Sequence, residues 1–303
     1  MRLTDRKILV TGPSSQVARP LVEALAVDNE VHGLARFSRG DHRQRLEAAG
    51  VRCFAVDLAD GSFDQVPDDY DFVLHFAVVK SGDFDYDLTA NAEGTGRLMA
   101  HCRRAKAFLH CSSAAVYQHA GADHPVGEDH PLGDNHRAML PTYSICKIAA
   151  ESVARFAARQ WALPTTIARL SVPYGANGGW PFYHLLMMKA GRAVPVHAER
   201  PNRFNPIHEE DIIGQIPRLL EIASVPAQIV NWGGEPASIE EWCAYMAELT
   251  GLEATFEETD RTVAPLPLDL TRLHELVGAA TVGWRSGIRQ MIEARAPELL
   301  KSA

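Results

Sequence analysis

The segment Lys7-Ile-Leu-Val-Thr-Gly-Pro-Ser-Ser-Gln-Val-Ala18 decides the fold, because an apolar run ends in a glycine turn and a helix-forming stretch follows at once. This order predicts a buried strand that turns directly into a helix. Similar apolar runs predict five more strands at 30–34, 51–56, 72–76, 107–111 and 165–170, and helices are predicted at 17–26, 91–105 and 144–161. Because such strands must be covered on both faces, the chain is predicted to be an α/β protein with a doubly wound parallel sheet.

After residue 170 the alternation of strands and helices gives way to sequence rich in Pro, Gly and aromatic residues, with one further helix predicted at 239–250. We therefore predict a sheet domain over residues 1–170, to which the segment near 205–232 adds a later strand. Residues 171–303 are predicted to form mainly a smaller C-terminal lobe that binds the substrate.

The composition argues against several classes of protein. Of the 303 residues 46 % are hydrophobic, and 30 Lys+Arg against 38 Asp+Glu give a net charge of -8. This sign argues against nucleic-acid and anionic-membrane partners and leaves a small molecule as the expected partner. No stretch has the length and apolarity of a membrane span, and Met1 to Lys7 is too charged for a secretory signal, so a cytoplasmic protein is expected.

Neither a metal site nor a disulfide framework is expected. The five cysteines are far apart and never form a C-x-x-C pair, which predicts free thiols. Residues 118–140 carry several histidines and carboxylates, but their spacing matches no standard zinc pattern. This segment is therefore predicted to be a solvated acidic loop rather than a metal site.

The turn after the first strand has the position of a dinucleotide-binding turn in a Rossmann-type sheet, although only the first glycine of the usual pattern is kept. Small residues replace the later glycines, and the hydroxyl and N–H groups that start the helix could bind a pyrophosphate. The competing interpretation is that Ser14 or Ser15 only caps the helix. The predicted phosphate-binding residues are Gly12, Ser14, Ser15, Gln16 and Val17.

The end of the second strand bears on the identity of the nucleotide. Where NAD enzymes usually place a carboxylate, this chain has Arg36, with Ser38 and Arg39 close behind. A cation there favours the 2′-phosphate of NADP. NAD is the alternative, in which case the arginines are only exposed loop cations. Asp57 and Leu58 follow the third strand and are predicted on the adenine side, unless Asp57 merely forms a turn.

Tyr143 and Lys147 are spaced to share one face of a predicted helix, which would bring an ammonium group near a phenol. A tyrosine has a pKa of about 10 in water. A neighbouring cation would lower that pKa toward neutral pH, and the phenol could then act as an acid–base catalyst.

With this pair, the chain resembles the extended short-chain dehydrogenase/reductase superfamily, the NAD(P)-dependent epimerase/dehydratase group, over nearly its full length. The motifs that carry the resemblance occur in order: Thr11-Gly12, Asp57-Leu58, His75-Phe-Ala77, Asn91-Ala-Glu-Gly-Thr95, Ser112-Ser113-Ala-Ala-Val-Tyr117, Tyr143 to Lys147, Arg169 to Gly175, and Asn205-Pro-Ile-His208 through Asp211.

The resemblance implies that Tyr143 is the catalytic acid/base, that Lys147 holds the nicotinamide ribose and lowers the pKa of Tyr143, and that Ser113 hydrogen-bonds the reacting oxygen. It also implies a homodimer, because family members commonly pair the helices predicted here at 91–105 and 144–161 into a four-helix interface. Tyr143 and Lys147 are thereby also cofactor-binding residues. The other residues placed at the cofactor are Phe76, Ala77, Val78, Asn91 and Val172.

Departures from the family pattern narrow the expected reaction. Ala114 and Ala115 stand where the group's dehydratases and decarboxylases carry acidic residues, and Val172 replaces an asparagine that usually contacts the nucleotide sugar. The surrounding side chains are largely apolar and aromatic, as in pockets for non-sugar ketones and aldehydes. The predicted substrate-binding residues are Val79, Ser113, Tyr117, Tyr174, Trp180 and Arg203.

The leading hypothesis is therefore an NADP-dependent carbonyl reductase or alcohol dehydrogenase that passes hydride between nicotinamide and a largely apolar ketone, aldehyde or alcohol. The alternative is an NAD-dependent nucleotide-sugar epimerase, which needs no more than the same three catalytic residues. The third hypothesis is a non-catalytic NAD(P)-sensing protein, with which the altered glycine turn is compatible.

Overall fold

A computed structural model describes residues 3–38 and 40–301. In chain order its strands are β1 (Lys7–Thr11), β2 (Glu30–Ala35), β3 (Arg52–Ala55), β4 (Phe72–His75), β5 (Ala107–Ser113), β6 (Thr165–Leu170), β7 (Val172–Gly175), β8 (Gly178–Gly179), β9 (Val194–Val196), β10 (Arg203–Phe204), β11 (Pro206–His208), β12 (Gln228–Trp232), β13 (Ala237–Ser238) and β14 (Phe256–Glu258). Its α-helices are α1 (Ala18–Leu25), α2 (Gly40–Ala48), α3 (Phe84–Leu88), α4 (Gly94–His101), α5 (Tyr143–Gln160), α6 (Trp180–Lys189), α7 (Glu209–Glu221), α8 (Ile239–Thr250), α9 (Thr271–Leu276) and α10 (Trp284–Arg295).

The central sheet has seven strands in the order β12-β6-β5-β4-β1-β2-β3, and every neighbouring pair is parallel. This is the strand order of a doubly wound Rossmann-type sheet, so the predicted fold is confirmed. The six predicted strands are present within two residues of their predicted bounds, and β12 lies in the segment expected to add a later strand. The division of the chain at residue 170 stays a prediction.

The sheet is covered on both faces because successive side chains of a strand point to opposite sides. Ile8 and Val10 of β1 belong to one apolar cluster, which includes side chains of α1 and α7. Leu9 belongs to a second cluster, with side chains of α4 and α5. These two layers explain why the strands are continuous apolar runs rather than alternating ones.

The helices agree less completely with the sequence prediction. α8 has the predicted bounds, whereas the helix expected at 91–105 begins as a π-turn at Thr89–Glu93 and continues as α4 only to His101. The Pro- and Gly-rich segment after residue 170 contains α6, which was not predicted. A proline in the first turn of a helix costs no hydrogen bond, and Pro181 has that position. Within residues 3–38 and 40–301, none of the helices combines the length and apolarity that crossing a membrane requires.

The second part of the chain forms a smaller layer of short strands and helices. β7 pairs with β8 and β11, while β10 pairs with β13 and β9 with β14. Helices α6, α8 and α10 pack against one another. Over the described ranges, no group of three or more His, Cys, Asp or Glu side chains is placed to hold a metal ion, and all five cysteines are buried and free.

Candidate active site

The turn after β1 requires glycine at position 12. Gly12 has a φ of +66°, and a Cβ atom there would lie 2.9 Å from the Cα of Ala77 at the end of β4. After the turn, the Ser15 hydroxyl accepts a hydrogen bond from the N–H of Ala18 at 3.1 Å. Ser15 therefore caps the first turn of α1, as the competing interpretation of this motif held, and it also borders the cavity described next.

A cavity of about 260 Å³ lies at the carboxyl ends of β1, β2 and β4. It brings together most of the residues predicted to bind a cofactor: Gly12, Ser14, Ser15, Arg36, Ser38, Asp57, Leu58, Phe76, Ala77 and Val78. Val79 also lines this cavity, although it was predicted to bind the substrate. Arg39 lies outside the described residues, and Val17 borders neither this cavity nor the second one.

We refer to this first cavity as the cofactor cavity, after the residues predicted to bind a cofactor that line it. A buried chain of hydrogen bonds holds one of its walls in place. The Thr11 hydroxyl lies 2.7 Å from His75 Nδ1, and His75 Nε2 lies 2.9 Å from the Thr95 hydroxyl. Thr11 also accepts the N–H of Ala77 at 3.1 Å. Burial lowers the pKa of His75 to about 3, so the ring is neutral and can donate at one nitrogen and accept at the other. The chain thus fixes β1, β4 and α4 relative to one another.

The open side of the cofactor cavity carries a second chain of polar groups, which the sequence did not reveal. Arg36 Nη1 donates to the Tyr86 hydroxyl at 2.8 Å, and this hydroxyl donates to Asp57 Oδ2 at 2.6 Å. The hydrogen bond to Asp57 raises the pKa of Tyr86. Tyr86 is in α3, a helix that was not predicted, so nothing in the sequence placed it between the two predicted cofactor residues.

Asn91 supports the cofactor cavity without contacting it. Its side-chain amide oxygen accepts the N–H of Val79 at 2.8 Å, and its amide nitrogen donates to the carbonyls of Val79 and Asp87. The polar atoms of the Asn91 side chain are used within the protein, and binding of the cofactor by Asn91 stays a prediction. Its role is to hold the backbone of the segment that lines the cavity.

A second cavity of about 590 Å³ adjoins the first. Ser15 and Val79 line the first cavity, and the residues that follow them in the chain, Gln16 and Lys80, line the second. Its walls come from the ends of β5 and β6, the start of α5, and α6. The predicted site residues that line it are Gln16, Ser113, Tyr143, Val172 and Trp180. The rest of its lining is mainly apolar and aromatic: Met139, Leu140, Leu170, Pro173, Tyr183, Met187, Pro195, Phe204, Val263 and Leu266.

Two of the predicted catalytic residues, Ser113 and Tyr143, line this second cavity, whereas Lys147 lines neither cavity. Ser113 ends β5, and its hydroxyl accepts the N–H of Ala115 at 3.2 Å. Tyr143 is the first residue of α5, and Lys147 lies one turn later, buried, with its ammonium donating to the carbonyl of Cys111 at 2.7 Å. Because Cys111 and Ser113 belong to the same strand, this bond ties α5 to the strand that carries Ser113.

The acidity of Tyr143 differs from the sequence expectation. Removal from water raises its pKa to about 12, and a hydrogen bond with Ser113 opposes this shift. The predicted lowering by Lys147 is therefore not produced by the protein alone, because removal of the phenol from water is the largest influence on its pKa. At neutral pH the phenol is protonated, which is the form that can donate to a carbonyl oxygen.

Two tyrosines predicted to bind the substrate belong to the core instead. Tyr117 is fully buried, its hydroxyl donates to Asn231 Oδ1 at 2.5 Å, and the guanidinium of Arg169 lies over its ring. Tyr174 is also buried, with its hydroxyl donating to the carbonyl of Trp284 at 3.4 Å. Neither side chain lines either cavity, so the structure does not bring these two tyrosines together with the other predicted site residues.

Arg203 likewise lines neither cavity. Its guanidinium lies 3.7 Å from the carboxylate of Asp123, on the exterior, while its neighbour Phe204 lines the second cavity. The alternation of β10 explains this difference, because adjacent residues of a strand face opposite sides.

Sequence reasoning missed four polar residues of the second cavity, Lys80, His136, Ser171 and His184, and the first two lie beside Tyr143. The ammonium of Lys80 lies 5.5 Å from the ring centroid of Tyr143, and the ring of His136 lies 5.7 Å from it. Burial and the charge of Lys80 lower the pKa of His136 to about 4, and its Nδ1 is buried without a partner among the described residues. Lys80 lies four residues after the end of a predicted strand, at the sheet edge where the site was expected, which was a usable signal. His136 was assigned to an acidic loop, and its spacing to other residues gave no indication of this contact.

The comparisons with known proteins agree with this arrangement. The family model described as the NAD dependent epimerase/dehydratase family matches residues 8–204, whereas no match was found among the curated proteins. The fold is similar to UDP-glucuronic acid 4-epimerase from Bacillus cereus in complex with UDP-glucuronic acid and NAD (22 % identity, TM-score 0.80, covering 95 % of this chain and 98 % of that one).

Two further solved structures have the same fold. One is UDP-glucose 4-epimerase from Thermotoga maritima with UDP-glucose (18 % identity, TM-score 0.80, covering 95 % of this chain and 98 % of that one). The other is DesIV, a dTDP-glucose 4,6-dehydratase from Streptomyces venezuelae, with NAD bound (18 % identity, TM-score 0.77, covering 95 % and 96 %). At these identities the similarity establishes the fold.

Proposed function

Because the chain belongs to the NAD dependent epimerase/dehydratase family, we propose that it oxidises a secondary alcohol of a nucleotide-linked sugar and reduces the same carbon again, as an NAD-dependent epimerase does. The observation that carries this proposal is that the cavity lined by Ser113 and Tyr143 adjoins the cavity that collects the predicted nucleotide-binding residues. The solved epimerases of the same fold hold NAD and UDP-sugars, which favours this alternative over the carbonyl reductase.

The residues of the first cavity fit a dinucleotide. The missing Cβ of Gly12 lets the turn approach β4, and Ser14 and Ser15 line the cavity at the start of α1, where a helix favours an anion. Asp57 and Leu58 border the side predicted for the adenine. NAD supplies the hydride acceptor and donor of such a reaction. The chain's own contribution is the binding site and the proton transfer.

Tyr143 and Ser113 would act at the substrate oxygen. In the reduction half, the protonated phenol of Tyr143 gives its proton to the carbonyl oxygen, which the hydroxyl of Ser113 holds by a hydrogen bond. In the oxidation half, the same phenol must accept a proton from the alcohol. Because the protein alone does not lower the pKa of Tyr143, the phenolate that this half requires would be favoured by the positive charge of the oxidised nicotinamide together with that of Lys80 beside the ring.

Ala114 and Ala115 help to distinguish an epimerase from a dehydratase within the family. Both are buried, and both line the second cavity beside Ser113. Neither can donate or accept a proton, so the chain has no acid pair at this place for the removal of water. This favours an epimerase over a dehydratase.

The carbonyl reductase is kept as a second candidate because of one observation, the apolar lining of the second cavity. Val172 lines it where a polar contact to a nucleotide sugar would be expected, and Arg203 points away from it toward Asp123. A ketone or aldehyde with an apolar substituent suits such walls.

A homodimer through α4 and α5 is part of the proposal. Phe156 of α5 is 63 % exposed and Ile145 is 38 % exposed, although both are apolar. An exposed apolar stripe on a helix is typical of a surface that another protein covers. The two helices pack closely together, and a Cβ on Gly96 of α4 would lie 2.8 Å from Val153 of α5.

The test compares the two reactions directly. The purified chain is incubated with NAD and either UDP-glucose or UDP-glucuronic acid, and the sugar products are separated by chromatography while absorbance at 340 nm is followed. We expect a 4-epimer and no net absorbance change. A net change with an apolar ketone and NADPH, without any epimer, would instead support the reductase.

The residue assignment is tested with a matched pair of variants. Tyr143→Phe is expected to lose turnover by roughly 10²- to 10⁴-fold, the usual contribution of a positioned acid–base group. Tyr245→Phe makes the same chemical change in α8 and should keep the activity of the natural sequence. Full activity of Tyr143→Phe would contradict the proton-transfer role.

A further inference from the structure

The position of Arg36 and the nucleotide held by the solved structures of the same fold point to different cofactors. A cation at the end of the second strand favours a 2′-phosphate, yet the solved epimerase and dehydratase of the same fold hold NAD. The guanidinium of Arg36 is exposed and lines the cofactor cavity, so exposure alone does not prevent it from meeting a phosphate.

The surroundings of Arg36 show that its guanidinium is already hydrogen-bonded within the protein. Its Nη1 donates to the Tyr86 hydroxyl at 2.8 Å, and the guanidinium carbon lies 6.0 Å from the centroid of the same ring. The Tyr86 hydroxyl in turn donates to Asp57 Oδ2 at 2.6 Å. One phenol therefore connects the arginine to a carboxylate, and α3 holds that phenol beside two loops that follow different strands.

The rest of the cluster keeps this connection in place. Asp83 caps α3 by accepting the N–H of Tyr86 at 3.1 Å, and Asp57 Oδ1 accepts the N–H of Ala59 at 2.9 Å. Both carboxylates are thus oriented by backbone groups, and the phenol between Asp57 and Arg36 has little freedom to turn away.

We propose that Tyr86 is a specificity-determining residue, which selects NAD against NADP by holding Arg36 to Asp57. A 2′-phosphate has to compete with Tyr86 for the guanidinium, and it has to approach the negative charge of Asp57. A 2′-hydroxyl meets neither obstacle. The inference rests on the proposed binding of a dinucleotide in this cavity, but not on the identity of the substrate.

The experiment measures the dissociation constants of NAD and NADP by titration of the purified chain, without any turnover. Tyr86→Phe keeps the ring and removes the hydroxyl that joins Arg36 to Asp57. We expect the natural sequence to bind NAD more tightly, and Tyr86→Phe to shift the ratio of the two constants toward NADP by about five- to tenfold, the factor of one net hydrogen bond.

Three further variants make the result decisive. Adding Arg36→Gln to Tyr86→Phe should abolish the gain in NADP binding, because the freed cation is then missing. Tyr245→Phe, the same change in α8, should leave the ratio unaltered. Asp57→Asn should shift the ratio in the same direction as Tyr86→Phe, and any contact of Asp57 with the adenine cancels because both nucleotides share it.

The possible failures are distinguishable. Three results would overturn the inference about Tyr86 without touching the proposed epimerase reaction. The ratio of the two dissociation constants could be unchanged in both Tyr86→Phe and Asp57→Asn, or the gain in NADP binding could survive Arg36→Gln. The natural sequence could also bind NADP more tightly than NAD. If the natural sequence binds neither nucleotide, the proposed function and this inference both fail.

Discussion

Substitution of Gly12 by alanine tests the close approach on which the cofactor turn depends. The added Cβ would lie 2.9 Å from the Cα of Ala77, 3.0 Å from its N and 3.1 Å from the carbonyl carbon of Phe76. All three are backbone atoms at the end of β4, so no side chain can rotate to make room. The N–H of Ala77 is also held by Thr11, so a shift of this backbone weakens the buried chain through His75.

The expected loss of stability has two parts. A left-handed φ of +66° costs an alanine roughly 1–2 kcal/mol, and overpacking against fixed atoms costs about 1–3 kcal/mol. Gly12→Ala should therefore reduce the free energy of unfolding by about 2–5 kcal/mol. Gly50→Ala is the matched control, because Gly50 also has a left-handed φ, +85°, but no heavy atom lies within 4 Å of its Cβ position. Gly50→Ala should therefore show only the loss of stability that the left-handed φ causes.

Urea unfolding of the two variants and the natural sequence measures these terms. NAD titration of the same samples should show that Gly12→Ala weakens binding and that Gly50→Ala does not. Equal losses of stability in the two variants would refute the steric reasoning, since the contact with Ala77 would then cost nothing.

Three further outcomes are expected. Glu151→Gln should lower the free energy of unfolding in urea by about 3–5 kcal/mol, because the buried guanidinium of Arg169 then lacks its charged partner at 2.8 Å. A loss below about 1 kcal/mol would contradict this expectation. Burial lowers the pKa of His184 from 6.5 to about 4, so its contribution to the free energy of unfolding is fully present above pH 6.5 and decreases by roughly 3 kcal/mol as the pH falls to about 4. His184→Gln should reduce this decrease, and an equal decrease in the variant would exclude His184 as its cause. Phe156→Glu should convert the proposed homodimer to monomers in light scattering, whereas Val27→Glu, at another exposed apolar residue, should not; a monomeric natural sequence would rule out the interface.

The strands of the sheet could be predicted because their signal is local. Each strand buried on both faces appears as a continuous apolar run, and the bounds of β1 and β6 were predicted to the residue. The ends of parallel strands share one sheet edge, so the positions of Gly12 and Asp57 at a common cavity followed from the strands themselves. The Tyr143 and Lys147 motif was found for the same reason, since its spacing lies within one helix.

The contacts that the sequence did not indicate share a different cause, which is that side-chain direction depends on distant parts of the chain. Tyr117 turns into the core because Asn231, 114 residues away, accepts its hydroxyl. Lys147 donates to the carbonyl of Cys111 on a separate strand, so its nearness to Tyr143 along the helix does not decide its effect on the pKa of that phenol. Helical spacing specifies a shared face but no partner.

The sequence by itself determined the layers of the molecule, the glycine turn after β1 and the candidate catalytic residues, because apolar periodicity and short motifs act over a few residues. Only the tertiary structure decided which polar groups meet at the cavities. Tyr86 lies 50 residues from Arg36 and 29 from Asp57 along the chain, and His136 reaches Tyr143 through an irregular loop. Such contacts arise when the chain packs around the sheet, since the burial of apolar surface brings these loops together and leaves their polar groups to find partners there.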